Sequence, residues 1–443
     1  MKAIKRDEQE LKDSGIDWVG KMPKAWNLIA NKYIMHKEKN ICDKWNNEDV
    51  LSLTMNGVIV RDLVNPTGKM PTTFDGYQYI NKGDLLMCLF DIDVTPRCVG
   101  RVFNEGVTSP AYSNFKLNDN AKLGYYYYYY LMMDHTKELL HLAKNLRHSF
   151  TEEQLGVLKV PLPPINEQQA IANYLDDRCS KIDAIIAEAK VSIEEYKELK
   201  QAVIYEAVTK GLDKNVEMKD SGVEWVEKIP NNWHIVKITR ILDKEHPYAI
   251  GDGDHGSIKT EQYRDSGIPF IRVQNLGWGT ALNMDNVVYI SEEDNKQIQN
   301  STLRPNDILF AKTGATIGKT AIMPEEIPIA NTTSHVGKIS ISKEHNSRYI
   351  FYVLSSQIGY RQFWDIAIQK TTRPELSIEE TKSIKVVLPA DKTIEDSIVN
   401  YLDEKIPVFD DMINTKASLI EDLEAYKKSL IYEVVTGKRK VVA

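Results

Sequence analysis

The sequence predicts an α+β chain: two globular mixed α/β heads separated by two long antiparallel coiled-coil helices, arranged as a pseudo-two-fold repeat. Three observations lead there. Residues 12–26, KDSGIDWVGKMPKAW, return as 219–233, KDSGVEWVEKIPNNW, at an offset of 207. Asn173-Tyr174-Leu175-Asp176 return as residues 400–403 at an offset of 227, which then holds without a gap to Thr209 and Thr436. Both closing stretches lack Pro and Gly over about 27 residues, which leaves a helix uninterrupted.

The chain therefore reads as two copies of one unit, about 1–217 and 218–443, each with a variable middle between matching ends. Finer boundaries are a first head at 1–164, a first arm with its linker at 165–217, a second head at 218–390 and a second arm at 391–443. The middles are weakly related. Lys82-Gly83-Asp84-Leu85-Leu86 aligns with Pro305-Asn306-Asp307-Ile308-Leu309, Gly100-Arg101 with Gly318-Lys319, and Arg147 with Arg373. A common scaffold with divergent surfaces suits two readers of different sites, although duplication of a binding domain alone gives the same pattern.

In 182–208, Ile185, Ala189, Tyr196, Leu199 and Val203 recur at helical spacing; at the 227 offset the stripe is Met412, Lys416, Leu423, Tyr426 and Leu430. Gly211 and Gly437 follow, where a left-handed cap residue belongs. Each arm thus spans roughly 40 Å at 1.5 Å per residue. A narrow apolar stripe on a long charged helix requires a partner helix, and the repeat supplies one. In the middles, residues 269–273, 307–310 and 336–339 read as short strands, while 124–133 and 347–356 read as short helices. The Tyr125–Tyr130 run invites base stacking, but at offset 223 it matches an ordinary amphipathic stretch at Tyr349, Phe351 and Tyr352, which favours packing.

Composition fits a folded chain, with 42% hydrophobic and 27% charged residues. No apolar run approaches the roughly 20 residues of a membrane helix, and the start lacks a signal-peptide core. Cys42, Cys88, Cys98 and Cys179 are scattered, with no metal spacing, so a cytoplasmic protein is expected. Net charge is −7, but residues 183–209 and 410–436 each carry six acids and three lysines. The arms hold most of the excess, leaving the heads near neutrality and free to carry local basic faces.

Catalytic motifs fail. Gly314-Ala315-Thr316-Ile317-Gly318-Lys319-Thr320 has three residues between its glycines where a phosphate loop has four. Asn65-Pro66-Thr67 is not the Asn/Asp-Pro-Pro-aromatic segment of an adenine methyltransferase, and no zinc-protease or nucleophile-elbow motif occurs. The acidic, Gly-rich 252–256 lacks the later Glu of a calcium loop and reads as a tight turn.

The repeated opening resembles the start of target-recognition domains in specificity subunits of type I restriction-modification systems. Residues 162–176, LPPINEQQAIANYLD, resemble the close of that domain, while 252–256, Gly267–Arg272 and Gly314–Lys319 resemble its core. The first middle departs most, with Phe90–Arg97 where the second has its Gly-rich turn. The resemblance covers nearly the whole chain in duplicate. It implies a non-catalytic DNA-reading subunit whose heads each read half of a bipartite, asymmetric double-stranded target. The helices set the spacer and bind two copies of the modification (methyltransferase) subunit; two restriction (translocase/nuclease) subunits complete the complex. No cofactor or metal belongs to this chain: S-adenosylmethionine, ATP and Mg²⁺ belong to the partners. A 40 Å arm suits half-sites about one helical turn apart, roughly 34–36 Å.

Base reading calls for Arg, Lys, Asn, Gln, Thr and similar polar groups on loops. Candidates in the first head are Arg61, Lys69, Thr72, Arg97, Arg101, Ser109, Tyr112 and Asn114, with Arg147 and His148 at the return loop. In the second they are Lys259, Arg264, Gln274, Asn275, Lys312, Thr313, Thr332, Thr333, Ser334 and His335, with Gln369–Arg373, including Lys370 and Arg373, as a further polar loop. Two other classes remain open: a solitary nuclease with an unrecognised site, and a coiled-coil scaffold without DNA contact.

Overall fold

Two helices of 46 and 44 residues, Ile165–Lys210 and Lys392–Val435, dominate the computed structural model. It describes residues 1–66, 70–95, 97–143, 149–279, 281–369 and 374–442. Both arms start well before the stretches marked by the charge pattern, each soon after a proline, Pro164 and Pro389. The buried face matches the expected stripe only in part, at Ala189 and Leu430. Ile171, Leu175, Cys179, Ile182, Ile186 and Ala189 are buried at steps of three and four, whereas Ile185, Leu199, Met412 and Tyr426 are exposed. The heptad runs through the earlier part of the helix, which a window confined to 182–208 cuts off.

The chain divides into two units, residues 1–190 with 417–443, and residues 191–416. This differs from a simple split at 217, because each head is completed by the end of the other copy's arm. In the first unit Leu430, Ile431, Val434 and Val435 enter the core around Trp26 and Tyr125. In the second, Ile204, Ala207 and Val208 enter the core around Trp233 and Tyr349. Within the first unit Asp183 holds Lys427, and within the second Lys200 holds Asp410.

Each head repeats the same plan. A hairpin opens it, 11–13 with 21–23 in one and 218–223 with 226–230 in the other. A two-stranded ribbon ties the start of the head to the strand before the arm: Asn27–Ala30 with Lys159–Leu162, and His234–Lys237 with Lys385–Leu388. The first head's four-stranded sheet has the order 99–101, 85–87, 113–117, 35–37; the second's has 250–252, 336–339, 308–311, 320–322. A three-stranded sheet accompanies each. Leu85 faces Arg101 and Phe115 as Ile308 faces Ile322 and Ile339. Arg101 is thus matched by Ile322, three residues from the sequence alignment with Lys319.

The same register explains two buried polar clusters. Asp84 and Asp307 are each 3% exposed, and their carboxylates accept from the backbone N–H of Asn81 and Arg304. The matched positions Asn114 and Lys338 lie beside them: Asn114 donates to Asp84 at 2.8 Å, and fully buried Lys338 donates to Thr302 O. Burial pushes the Asp307 carboxyl up and the Lys338 ammonium down from their ordinary values.

The tyrosine run is packing. Within helix Leu123–His135, Tyr125, Tyr126, Tyr128, Tyr129 and Tyr130 are all buried. Tyr125 Oη donates to Val435 O at 2.9 Å, capping an orphan carbonyl near the end of the second arm. Tyr349 Oη does the same for Val208 O at 3.2 Å, setting the true offset at 224. Gln168 and Glu395, each 1% exposed, accept from Lys122 N and Asn346 N and hold the start of each arm against its head.

Candidate nucleic-acid interface

The second head presents three loops at one end of its four-stranded sheet. Strand Ile308–Ala311 runs out into Lys312, strand Val336–Ile339 begins just after His335, and strand Ile250–Asp252 runs into the 253–256 turn. Lys312 Nζ is ion-paired with Asp252, with side-chain exposures of 5% and 17%. Asp252 also takes His255 Nε2 at 3.2 Å. Thr313 Oγ1 lies 3.2 Å from His335 Nδ1. The Asp254 carboxyl, against the upward push of burial, is held below its ordinary value by the backbone N–H groups of Ile258, Ser257 and Gly256.

Several expected readers are structural instead. Lys312 is consumed by the buried ion pair. Thr332, with no exposure, donates to Ile271 O at 2.8 Å. Asn275, 1% exposed, accepts from Arg272 N and donates to Asn283 O, both at 2.9 Å. In the first head Asn114 belongs to the Asp84 cluster. Arg101 forks onto Asp176 at 2.7 and 3.1 Å and stacks over Tyr127 at 4.5 Å. These five side chains are spent on partners inside the fold and offer no free edge to a base. Short polar residues that close a buried turn look the same in sequence as residues on an exposed one.

Among the described residues, all the remaining candidates but Thr313 are exposed or half-buried. Lys259, Arg264, Gln274 and His335 are exposed; Thr333 and Ser334 are half-buried, and Thr313 is buried beneath His335. In the first head Thr72 is exposed, while Arg61, Arg97, Ser109 and Tyr112 are half-buried. Lys69, Arg147, His148, Lys370 and Arg373 lie outside the described residues.

The first head has a different surface at the matching end. Phe90 stacks on Tyr112 with ring centroids 6.3 Å apart, at the sheet end where the second head has Thr313 against His335. Gln78, 1% exposed, donates to the carbonyls of Ser109 and Tyr112 and sets that loop. Lys137 Nζ bonds Thr95 O and Asp134 at 3.1 Å, and Asp134 accepts from Cys98 N, anchoring Thr95 and Cys98. Sequence reasoning missed His255, Phe90 and the Asp176/Asp403 pair. The last had a signal, since both aspartates stand in the repeated Asn-Tyr-Leu-Asp. Asp403 accepts from Tyr352 and from Arg348 at 2.7 Å, as Asp176 does from Tyr128 and Arg101.

A groove of about 1080 Å³ in the second unit runs beside the second arm. Four of its acids are engaged: Asp396 by Asn346, Asp403 by Arg348 and Tyr352, Asp410 by Lys200, Asp307 by Ser340. Among the described residues no cluster of three His, Cys, Asp or Glu could hold a metal, and no helix is long and apolar enough to cross a membrane. The four cysteines are free and buried.

Residues 31–195 and 230–424 each match the family described as type I restriction modification DNA specificity domain. The MjaVIII specificity subunit of a type I restriction enzyme from Methanocaldococcus jannaschii is 25% identical over 288 residues, 64% of this chain and 63% of that protein. The EcoBI specificity subunit from Escherichia coli is 31% identical over 238 residues, 52% of this chain and 48% of its own. The matches thus span less than two thirds of these relatives. A solved chain described under complex assembly and conformational transition of the type I R-M system shares the fold, with a TM-score of 0.66 at 14% identity, covering 94% of this chain and 99% of that one.

Proposed function

Because the chain belongs to the type I restriction-modification DNA specificity family and carries its domain twice, we propose that it is the non-catalytic reading subunit of a methyltransferase and restriction complex. Each head reads one half of a bipartite, asymmetric duplex target. The arms set the spacer and bind two modification subunits, and two restriction subunits complete the assembly in the cytoplasm. S-adenosylmethionine, ATP and Mg²⁺ are bound by those partners. The observation that supports this reading best is one scaffold built twice with unlike side chains at the same sheet end: Phe90 and Tyr112 in one head, Thr313 and His335 in the other.

Base contact falls to side chains left at the surface: Lys259, Arg264, Gln274, Thr333, Ser334 and His335 in the second head, and Arg61, Thr72, Arg97 and Tyr112 in the first. Lys69, Arg147, Lys370 and Arg373, outside the described residues, complete the proposed set of phosphate or base contacts. Selection from a random-sequence duplex pool by the chain with its modification subunit tests the reading. Two short motifs separated by a fixed, unread gap are expected. A single continuous motif, or methyl transfer by the purified chain alone, would refute it.

A further inference from the structure

Two histidines of the second head share one rigid scaffold. The 253–256 turn and the 332–335 loop lie directly against each other: Asp254 N donates to Thr332 O and Ser334 N to Asp254 O, both at 2.8 Å. Gly253 makes this approach possible, since a Cβ there would fall 2.2–2.3 Å from the Thr332 and Thr333 carbonyls. Lys312 lies beneath both loops, its backbone N donating to His335 O at 3.1 Å and its ammonium holding Asp252. Pro374 O accepts from Gly314 N and Lys312 O from Leu376 N, which fixes the Lys312 loop from behind.

A buried lysine–aspartate pair at a loop end contributes little net stability, since desolvation offsets most of the attraction. What it does supply here is position. When Asp252 accepts from His255 Nε2, the neutral ring presents its Nδ1 as an acceptor. Thr313 occupies Nδ1 of His335, leaving Nε2 to face outward. His255 has 71% side-chain exposure and His335 is also exposed. Two imidazoles with one nitrogen fixed by the protein and the other presented to solvent have the form of a preorganised reading pair.

We propose that His255 and His335 read base edges in the half-site of the second head, with Asp252, Lys312 and Thr313 as positioning residues. This rests on the DNA-reading function above and names side chains that carry its specificity. His255 Nδ1 would accept from the exocyclic amino group of an adenine or cytosine in the major groove.

The test is selection from a random-sequence duplex pool by the complex of the full chain with its modification subunit, comparing wild type, His255→Ala and His335→Ala. Both side chains are exposed, and co-elution with the modification subunit monitors folding. Each alanine variant is expected to lose at least about tenfold discrimination at one or two positions of one half-motif, with the other half unchanged. His335→Gln, which keeps a polar reach, should retain part of the preference. An unchanged motif, or uniformly weaker binding with the same motif, overturns the histidine assignment while leaving the reading function standing. Absence of any sequence preference in the wild-type complex would overturn both.

Discussion

Lys200 Nζ lies 2.6 Å from Asp410 Oδ1, and the two residues stand where Lys427 and Asp183 stand in the other copy. The pairs match in chemistry but not in burial. Lys200 has 7% side-chain exposure, whereas Lys427 has 20% and Asp183 56%. A buried cation that loses its partner is costly, while an exposed pair contributes little. Asp410→Ala should therefore destabilise the second unit by about 2 kcal/mol. Asp183→Ala should cost the first unit less than about 1 kcal/mol. Urea unfolding with hydrogen exchange along each arm segment measures both; equal costs would mean the burial difference has no energetic weight.

Tyr349 Oη donates to both Val208 O and Val387 O, and Tyr125 Oη to Val435 O alone. Replacing either by phenylalanine leaves carbonyls unpaired in a core, at about 1–2 kcal/mol each. The Tyr349 variant is expected to be the worse of the two, and neither should alter DNA selectivity. Thermal unfolding and pool selection on the same variants check both parts.

Gly437 and Gly211 both have φ of +75°, at the ends of the two arms. A Cβ at Gly437 would fall 2.5 Å from Pro23 and 2.7 Å from Trp26, but one at Gly211 would lie 3.1 Å from Trp233. Gly437→Ala should cost more than about 2 kcal/mol, and Gly211→Ala about 1 kcal/mol, from the backbone conformation alone. Parallel denaturation curves decide the order.

Burial lowers the His135 pKa to about 4, outweighing the pull of Asp134, while Arg97, Lys428 and Lys427 add to the lowering. Its Nδ1 is buried and has no partner among the described residues. The unfolded chain takes up a proton near pH 6.5 and the folded one does not. Stability of the first unit should therefore fall as pH drops from about 6.5 toward 4, by on the order of 2 kcal/mol. His135→Phe should flatten that slope in pH-dependent melting; an unchanged slope would locate the acid sensitivity elsewhere.

The architecture was legible because duplication leaves a record that needs no geometry: Asn173–Asp176 and 400–403 align by identity alone. The phase of the arms was not, since Ile185 and Leu199 are as apolar as Ile182 and Ile186 but face solvent. Nor was the exchange of arm ends, because a core shared by Trp26 and Val435 joins residues some four hundred positions apart. Six of the ten readers expected between Lys259 and His335 proved to be exposed or half-buried. Lys312, Thr332 and Asn275 did not, since a polar residue that fixes a loop has the same composition as one that uses it.

On the proposed function, paired arms set the distance between two reading heads. Inserting seven residues into both arms, after Ser192 and after Leu419, tests it by lengthening each helix by about 10.5 Å. Pool selection with the modification subunit should return both half-motifs unchanged, with the gap between them longer by about three base pairs at 3.4 Å each. An intact complex that keeps the original gap would show that the arms do not set the spacing.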